Sequence, residues 1–248
     1  MTRLPRTAPA AADGLPRRLP LVLMYHRVAS VAFDPNRLAV TPQRFSRQMA
    51  WLHRWGLRGV AVGELVTAMR CGTHRGLVGL TFDDGYADLA DHVPAVLDRY
   101  RFTATVFVVS GRLGGVNDWD PGTPWPLVDA DDVRRLAEAG LEIGAHGRHH
   151  VALAGTAPEV LRAETYGSRA DLEGLLGAPV SGFAYPYGSM DAAARAAVRA
   201  AGYAYGCAVF AKRAEQGLMA LPRMYAGERD NGFRLTAKRL LHRRHVTR

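Results

Sequence analysis

The sequence predicts an α/β fold built around a mainly parallel sheet, and a closed (β/α) barrel fits it better than an open sheet. Short apolar runs of strand character alternate with segments of helical periodicity along the chain. Strands that alternate with helices need crossover connections, which make neighbouring strands parallel. About seven such units in one chain of this length favour a barrel.

The first strand and helix follow an arm rich in proline and alanine. Residues 19–25 form an apolar run that ends at the polar His26, as expected of a buried strand. Thr41 followed by Pro42 is typical of a helix N-terminus, since threonine caps the first turn and proline fits its first position. Apolar residues at helical spacing then continue to Gly56.

Further strands and helices alternate along the rest of the chain. The strand candidates are residues 60–62, 77–82, 103–109, 141–143, 180–185 and 204–209. The helical patterns between them cover residues 63–70, 88–100, 129–139, 158–176 and 190–201. Residues 111–126 form one long polar loop, and such loops in compact domains tend to lie at binding sites.

Composition excludes several protein classes and sets the domain organisation. Apolar residues make up 48% of the chain and charged residues 22%, which is ordinary soluble usage and excludes disordered, collagen-like and disulfide-scaffold chains. Every apolar run is far shorter than the roughly 20 residues of a membrane-spanning helix. We expect a flexible basic arm over residues 1–18, one domain over 19–237 and a basic C-terminal tail over 238–248.

Charge and cysteine content bear on partners and compartment. The predicted arm and tail carry nearly all of the formal net charge of +9, so they could touch anionic surfaces. They lack interleaved aromatic residues and any nucleic-acid-binding motif, so we expect no specific nucleic-acid binding. Cys71 and Cys207 lack metal or redox spacing and are expected to be small buried residues in a reducing compartment. No apolar leader is visible, so the expected localisation is cytoplasmic.

Two adjacent carboxylates, Asp83 and Asp84, directly follow the strand at residues 77–82. Neighbouring carboxylates repel each other, so the pair needs either a helix to cap or a cation to neutralise it. A helix starting near Asp88 makes capping the commoner explanation, and the sequence of this segment alone leaves both open.

Three of the nine histidines lie within five positions after the strand at residues 141–143. His146 and His150 are four apart, the spacing at which two imidazoles share one face of a helical turn. With a carboxylate such as Asp84 they would form a site suited to Zn²⁺ or a related divalent ion. A structural or accidental pair is the alternative. His149 should diverge from its neighbours and lie outside the ligand set.

The third cluster, residues 183–188, also closes a strand, and its proline and glycine shape a tight turn whose backbone N–H could face a ligand.

Together these motifs resemble the polysaccharide deacetylases, the NodB-homology family also called carbohydrate esterase family 4. The matching segments, in this order, are Thr81-Phe82-Asp83-Asp84-Gly85, His146-x-x-x-His150 and Tyr185-Pro186-Tyr187-Gly188. The resemblance extends from about residue 21 to about residue 224. It implies a distorted (β/α)7–8 barrel of the NodB-homology type and metal-dependent removal of an N-acetyl, or less often O-acetyl, group from a sugar or glycan.

The resemblance also implies residue roles. Asp84, His146 and His150 would hold the divalent metal, with zinc first and cobalt, nickel or manganese as alternatives. Asp83 would be the general base that takes a proton from the attacking water. The metal and the backbone N–H of Tyr187 would stabilise the oxyanion.

Two departures from the family pattern affect the surroundings of these residues. Gly147 replaces the serine or threonine that usually follows the first metal histidine, which predicts a lost hydrogen bond and a looser loop. Ala184 replaces the arginine that usually precedes the Pro-Tyr-Gly motif and pairs with the base aspartate. We predict that Arg223 takes over as the partner of Asp83.

The third departure concerns the general acid. The usual late Leu-x-x-His motif has no clear counterpart here, because His242 and His245 fall among arginines in the predicted tail. Leu23 and His26 have the same spacing at the end of the first strand, which neighbours the last strand in a closed barrel. We therefore predict His26 as the general acid, an arrangement similar to the permuted exopolysaccharide poly-N-acetylglucosamine deacetylases, with a structural histidine as the alternative.

Other functions stay open on the sequence alone. A related barrel hydrolase of another non-peptide C–N bond and a catalytically silent carbohydrate-binding protein are the main alternatives. A nucleic-acid or membrane-surface binder acting through its basic tails is another. Trp119 and Trp125 of the long loop could stack on sugar rings or pack as part of a lid.

Overall fold

The structure, a computed structural model, describes residues 15–16, 19–119, 122, 124–209 and 215–245. The strands are β1 (Val22–Tyr25), β2 (Arg27–Val28), β3 (Ala39–Val40), β4 (Arg58–Val60), β5 (Leu77–Phe82), β6 (Thr105–Val108), β7 (Glu142–Ala145), β8 (Gly182–Ala184), β9 (Tyr205–Ala208), β10 (Leu221–Pro222) and β11 (Met224–Tyr225). The helices are α1 (Pro42–Arg54), α2 (Val62–Arg70), α3 (Asp88–Asp98), α4 (Ala130–Glu138), α5 (Pro158–Arg162), α6 (Ser168–Leu176), α7 (Ala192–Ala200) and α8 (Gly232–His245). A π-helical turn, Ala163–Gly167, joins α5 to α6, and short 3₁₀ turns lie at Ser110–Arg112 and Pro186–Gly188.

The main sheet is parallel and nearly closed into a barrel. Its strand order is β10-β9-β8-β7-β6-β5-β1-β11, and β4 pairs with the first half of β5. Arg223 is the single residue between β10 and β11, so one short segment pairs with β9 on one side and with β1 on the other. This segment brings the two ends of the sheet together, which confirms the predicted distorted (β/α)7–8 barrel.

Helix α2 covers the N-terminal end of the barrel. Its first backbone N–H groups donate to the Thr105 hydroxyl and to the Glu142 carboxylate, both at 2.9 Å. These acceptors lie at the starts of β6 and β7, where a carboxylate also complements the positive end of the helix. Leu65 and Met69 of α2 are fully or almost fully buried against the barrel. The C-terminal end of the strands is therefore the end that can carry a site.

The outer helices pack on the strands through apolar stripes, as α1 illustrates. The Thr41 hydroxyl accepts from the Arg44 N–H and caps the helix, as predicted from the sequence. Phe45 is fully buried, and its ring lies 5.4 Å from the ring of Tyr25 and 5.6 Å from that of Phe82. Burial of such aromatic rings is the main force that holds the helix to the sheet.

The C-terminal boundary predicted at residue 237 runs through the middle of α8. His242 is buried, and its Nε2 lies 3.0 Å from the carbonyl oxygen of Leu19, so this helix is anchored to the entry of β1. Residues 238–245 are thus helical rather than a separate tail. Of the predicted arm, residues 15 and 16 are described, and Leu15 is buried in the core. Residues 1–14, 17–18 and 246–248 lie outside the described part of the chain.

The two cysteines differ in environment. Cys207 is buried on β9, as expected, but Cys71 is exposed, because it follows the last turn of α2 at the surface. Within the described residues, every helix falls short of the length and apolar character that a bilayer span requires.

Candidate active site

The barrel brings all the predicted site residues to the C-terminal ends of its strands. They line one cavity of about 650 Å³. Asp83 and Asp84 follow β5, His146 and His150 follow β7, Tyr187 follows β8, His26 follows β1, and Arg223 lies between β10 and β11.

Asp84, His146 and His150 meet at one point of this cavity. The Oδ1 atom of Asp84 lies 3.3 Å from Nε2 of each histidine. In the part of the chain that the structure describes, these three side chains form the group whose ligand atoms, all within 4.8 Å of one another, could hold a metal ion. Tetrahedral zinc, with ligands at about 2.0–2.2 Å, separates neighbouring ligand atoms by about 3.3–3.5 Å. The spacing around Asp84 fits such an ion.

The hydrogen bonding of His146 supports this fit. Its Nδ1 lies 2.9 Å from the carbonyl oxygen of Ala184, which can only accept, so the ring proton lies on Nδ1. In the neutral imidazole, Nε2 then carries the lone pair that faces Asp84. A metal ion between this nitrogen and the Asp84 oxygen, or a second ring proton donated to that oxygen, satisfies both atoms. The backbone of Ala184 thus orients a metal ligand although its side chain lacks the predicted arginine.

Charge favours a cation at the same point. Burial opposes ionisation of Asp84, but hydrogen bonds from His146 and His150 outweigh it and hold the pKa of this carboxyl well below its ordinary value. Burial also disfavours protonation of His146, yet the charge of Asp83 and the bond with Asp84 raise the pKa of His146. The site therefore stabilises positive charge beside Asp84.

Arg223 forms a two-pronged ion pair with Asp83. Its two terminal nitrogens lie 2.5 and 2.7 Å from the two carboxylate oxygens, and one of them also donates to the Thr81 hydroxyl at 3.1 Å. The Arg223 side chain is fully buried. Burial opposes ionisation of Asp83, but the Arg223 charge lowers the pKa of this carboxyl below its ordinary value. The sequence predicted the partnership, and the structure adds Thr81 as a further hydrogen-bond partner of Arg223.

Arg223→Met is expected to lower the free energy of unfolding by about 3–5 kcal/mol, because it leaves a buried carboxylate without its partner. Urea unfolding of the metal-free protein measures the loss. Arg134→Met is the control, since Arg134 pairs with Asp131 at the exposed surface of α4, and it should cost far less. Equal losses in the two variants would contradict this prediction.

Three site residues adopt left-handed backbone conformations that non-glycine residues rarely use. The φ angles are 71° at Asp84, 61° at His150 and 57° at Tyr187. Each such residue costs on the order of 1–3 kcal/mol and persists where the surrounding structure enforces it. Gly188 follows with φ 67°, and a Cβ there would lie 2.8 Å from the carbonyl oxygen of Val209. The turn at β8 thus requires glycine.

The two tryptophans of the long loop contact protein side chains. The Trp119 ring stacks on the His150 imidazole at 4.3 Å, and the Tyr187 ring meets the same imidazole edge-on at 4.5 Å. The Arg27 guanidinium covers the Trp125 ring at 4.0 Å. Trp119 therefore helps to orient His150. Trp125 instead packs on Arg27, which forms an ion pair with Asp88 at the start of α3.

His26 lies in the cavity with the two aspartates and is partly buried. Its Nδ1 atom is buried and makes no hydrogen bond with the described residues. A histidine kept for structure alone usually has both ring nitrogens satisfied when buried.

Glu164 is a residue that the sequence analysis missed. It is 2% exposed and accepts hydrogen bonds from the backbone N–H groups of Arg148 and His149, at 2.8 and 2.9 Å. Its other oxygen lies 2.8 Å from Nδ1 of His149, whose half-exposed ring stays outside the metal-ligand group. The loop that Gly147 was expected to loosen is therefore tied down. In the sequence Glu164 is one acidic residue among several in a helix.

Comparison with known proteins gives a family match. The model of the family described as Polysaccharide deacetylase matches residues 71–206, more than half of the chain. The protein YxkH of Bacillus subtilis (strain 168), whose assigned name is that of a polysaccharide deacetylase, is 27% identical over 213 residues, which cover 84% of this chain and 71% of that protein.

Solved structures share the fold. The Streptococcus pyogenes deacetylase PplD in complex with acetate has a TM-score of 0.75 at 21% identity, over 88% of this chain and 96% of that one. IcaB from Ammonifex degensii has a TM-score of 0.76 at 23% identity, over 90% and 97%. The barrel, the site at its C-terminal end and the family match agree with the resemblance inferred from the motifs. The chain belongs to the polysaccharide deacetylase family and is a hydrolase of the carbohydrate deacetylase type.

Proposed function

We propose that this protein is a metal-dependent deacetylase that removes an N-acetyl group from a sugar, releasing acetate and the free amine. One observation carries the proposal: a buried aspartate held by an arginine lies next to a two-histidine, one-aspartate group in the same cavity. An acid–base residue beside a metal site is one arrangement that can hydrolyse an unactivated amide.

Asp84, His146 and His150 are the residues that would hold the metal, and zinc suits two imidazoles and one carboxylate best. Cobalt, nickel and manganese accept the same ligands. When bound, the ion would polarise the acetyl carbonyl and acidify water. Side chains and backbone groups of this chain would carry out the proton transfers and stabilise the developing negative charge.

Asp83 would take one proton from the attacking water, because Arg223 keeps it ionised and fixes its orientation. The backbone N–H of Tyr187 would donate to the carbonyl oxygen as it gains negative charge. His26 would give a proton to the departing nitrogen. The amide C–N bond breaks and a C–O bond to the water oxygen forms. The water oxygen ends in acetate, and the amine gains a proton.

His26→Ala is expected to lower kcat by about 10²–10⁴-fold, because the amine is a poor leaving group without a proton donor. Its metal affinity should stay native, since His26 lies outside the ligand group. Acetate release at saturating substrate, with metal stoichiometry measured in parallel, tests this. Native turnover in the variant would assign His26 a structural role.

The substrate is proposed to be an oligosaccharide or longer glycan. A second cavity of about 610 Å³ adjoins the catalytic one and shares Tyr225 and Lys238 with it. Together the two could accommodate sugar residues next to the one that reacts.

The decisive experiment measures acetate release from chito-oligosaccharides of increasing length. The chelator-treated protein is assayed before and after addition of Zn²⁺, Co²⁺, Ni²⁺ or Mn²⁺, beside an Asp83→Asn variant. We expect release that metal restores, that grows with chain length and that the variant lacks. Stoichiometric metal binding without release would contradict this substrate class, and absence of metal binding would contradict the mechanism.

A further inference from the structure

A buried carboxylate outside the loop helps to fix the loop that carries the two candidate histidine ligands. Residues 146–150 leave β7 and reach the cavity through two left-handed residues, Gly147 and His150. Loops of this kind need external hydrogen bonds, because their own backbone groups cannot pair within the turn. Glu164 accepts two of these bonds, from the N–H groups of Arg148 and His149, and its other oxygen pairs with the His149 ring.

We propose that Glu164 is a positioning residue that sets the affinity of the site for its metal, and that Gly147 is required because it leaves room for the Glu164 carboxylate. The proposal rests on the metal site inferred above. It goes beyond that site by assigning a role to a residue that contacts neither metal nor substrate.

The absence of a side chain at Gly147 leaves the room that the Glu164 carboxylate occupies. Its φ is 75°, and a Cβ on this glycine would lie 2.7 Å from the Glu164 carboxylate oxygen, closer than real Cβ contacts allow. Any larger residue at 147 must therefore shift that carboxylate, which would weaken its bonds to both N–H groups. Glycine at 147 therefore fits the Glu164 carboxylate in its present position, whereas serine at 147 does not.

The local backbone explains how Glu164 reaches the loop. Glu164 belongs to the π-helical turn Ala163–Gly167, and such turns often lie at functional sites because the wider backbone turns a side chain away from the regular helix face. The Ser168 hydroxyl donates to the Glu164 carbonyl at 2.6 Å and satisfies a backbone group of this turn. This bond stabilises the backbone from which the Glu164 side chain extends.

A second contact fixes the opposite side of the loop. The backbone N–H of Gly111 donates to the carbonyl oxygen of Arg148 at 2.9 Å, and that of Ser110 donates to Gly147 at 3.2 Å. With Glu164 on one side and this turn on the other, the loop has little freedom. A shift of the loop would move His150 away from Asp84, and substitutions of residues that orient ligands typically weaken metal binding by about 10- to 100-fold.

The test is the Zn²⁺ dissociation constant, measured by competition with a chelating dye on the whole 248-residue chain. Glu164→Gln keeps the side-chain shape but replaces one acceptor oxygen with a donor group. It is expected to weaken Zn²⁺ binding by about 10- to 100-fold. Glu173→Gln is the matched control, because Glu173 lies on the following helix and also accepts a backbone N–H, from Val180 at 3.0 Å. Its Zn²⁺ affinity should stay native.

A purely structural role gives a different result. It would lower the melting temperature of the metal-free protein and leave the Zn²⁺ dissociation constant unchanged. A Glu164→Gln affinity within twofold of native would therefore overturn the proposal. Failure of the native protein itself to bind Zn²⁺ would instead overturn the proposed metal site, so the two failures are distinguishable.

Substitutions of Gly147 give a second test, again with Zn²⁺ affinity as the measurement. Gly147→Ser in the native background should weaken Zn²⁺ binding at least as much as Glu164→Gln does. In a Glu164→Ala background, Gly147→Ser should bind Zn²⁺ more tightly than Gly147→Ala, because both strain the backbone equally and only serine offers a hydroxyl to the vacated N–H groups. Native affinity in the single Gly147→Ser variant would also overturn the proposal.

Discussion

Asp83→Asn is expected to lower kcat by about 10²–10⁴-fold, the contribution of a well-placed general base. Asparagine has nearly the shape of aspartate, but its amide cannot accept the proton that the attacking water must lose. The substrate and metal surfaces are otherwise preserved, so KM and metal stoichiometry should remain close to native. The measurement is the rate of acetate release at saturating substrate.

The same substitution also leaves the Arg223 charge buried without its partner, so stability needs a separate control. The double variant Asp83→Asn/Arg223→Met removes both charges, and it should recover stability because a buried ion pair is often replaceable by apolar packing. Its activity should stay as low as that of Asp83→Asn. Recovery of activity together with stability would show that the loss came from unfolding and not from a missing base.

Comparison with Arg223→Met also tests the partnership. If Arg223 holds Asp83 in its working orientation, the loss of kcat in Arg223→Met should approach that in Asp83→Asn. A loss smaller by orders of magnitude would limit Arg223 to a stabilising role.

His146→Ala is expected to weaken Zn²⁺ binding by more than the roughly 10- to 100-fold typical of residues that only orient ligands. It removes one of three protein ligands and leaves Asp84 and His150, which together cannot complete a tetrahedral site. Deacetylation at micromolar zinc should fall with occupancy and recover in part at high zinc. Metal content after dialysis and the zinc dependence of the rate measure both effects.

His92→Ala is the control for this substitution, because His92 lies on α3 outside the ligand group and the cavity. The native protein and the His92→Ala variant should gain about 4 kcal/mol of stability at a zinc concentration a thousandfold above the dissociation constant, whereas His146→Ala should gain far less. An equal zinc-dependent rise in melting temperature in all three proteins would contradict the assignment of His146 as a ligand.

Much of the fold was predictable because strands and helices are encoded by local patterns. The alternation of apolar runs and helical segments predicted every long element from β1 to β9 within a few residues, as the predicted strand 77–82 and the observed β5 show. Prediction failed at the C-terminus. Helix α8 is rich in arginine, so its apolar pattern is weak. The burial of His242 also depends on the residues at β1, which lie more than two hundred residues earlier in the chain.

The same distinction holds within the site. Asp83, Asp84, His146 and His150 stand out in the sequence because chemically active residues cluster at strand ends. Glu164 does not, because its partners belong to another segment and its fit depends on the empty space at a glycine.

The sequence by itself determined the fold class, the family resemblance and the candidate site residues, since each depends on patterns a few residues long. Apart from the predicted pairing of Arg223 with Asp83, only the tertiary structure decided which residues touch, and it alone gives the reason for that pairing. Arg223 meets Asp83 across 140 residues because the segment between β10 and β11 closes the barrel at that point. Glu164 meets the histidine loop because a π-helical turn directs it there. Contacts of this kind follow from strand register and barrel closure, which no local pattern encodes.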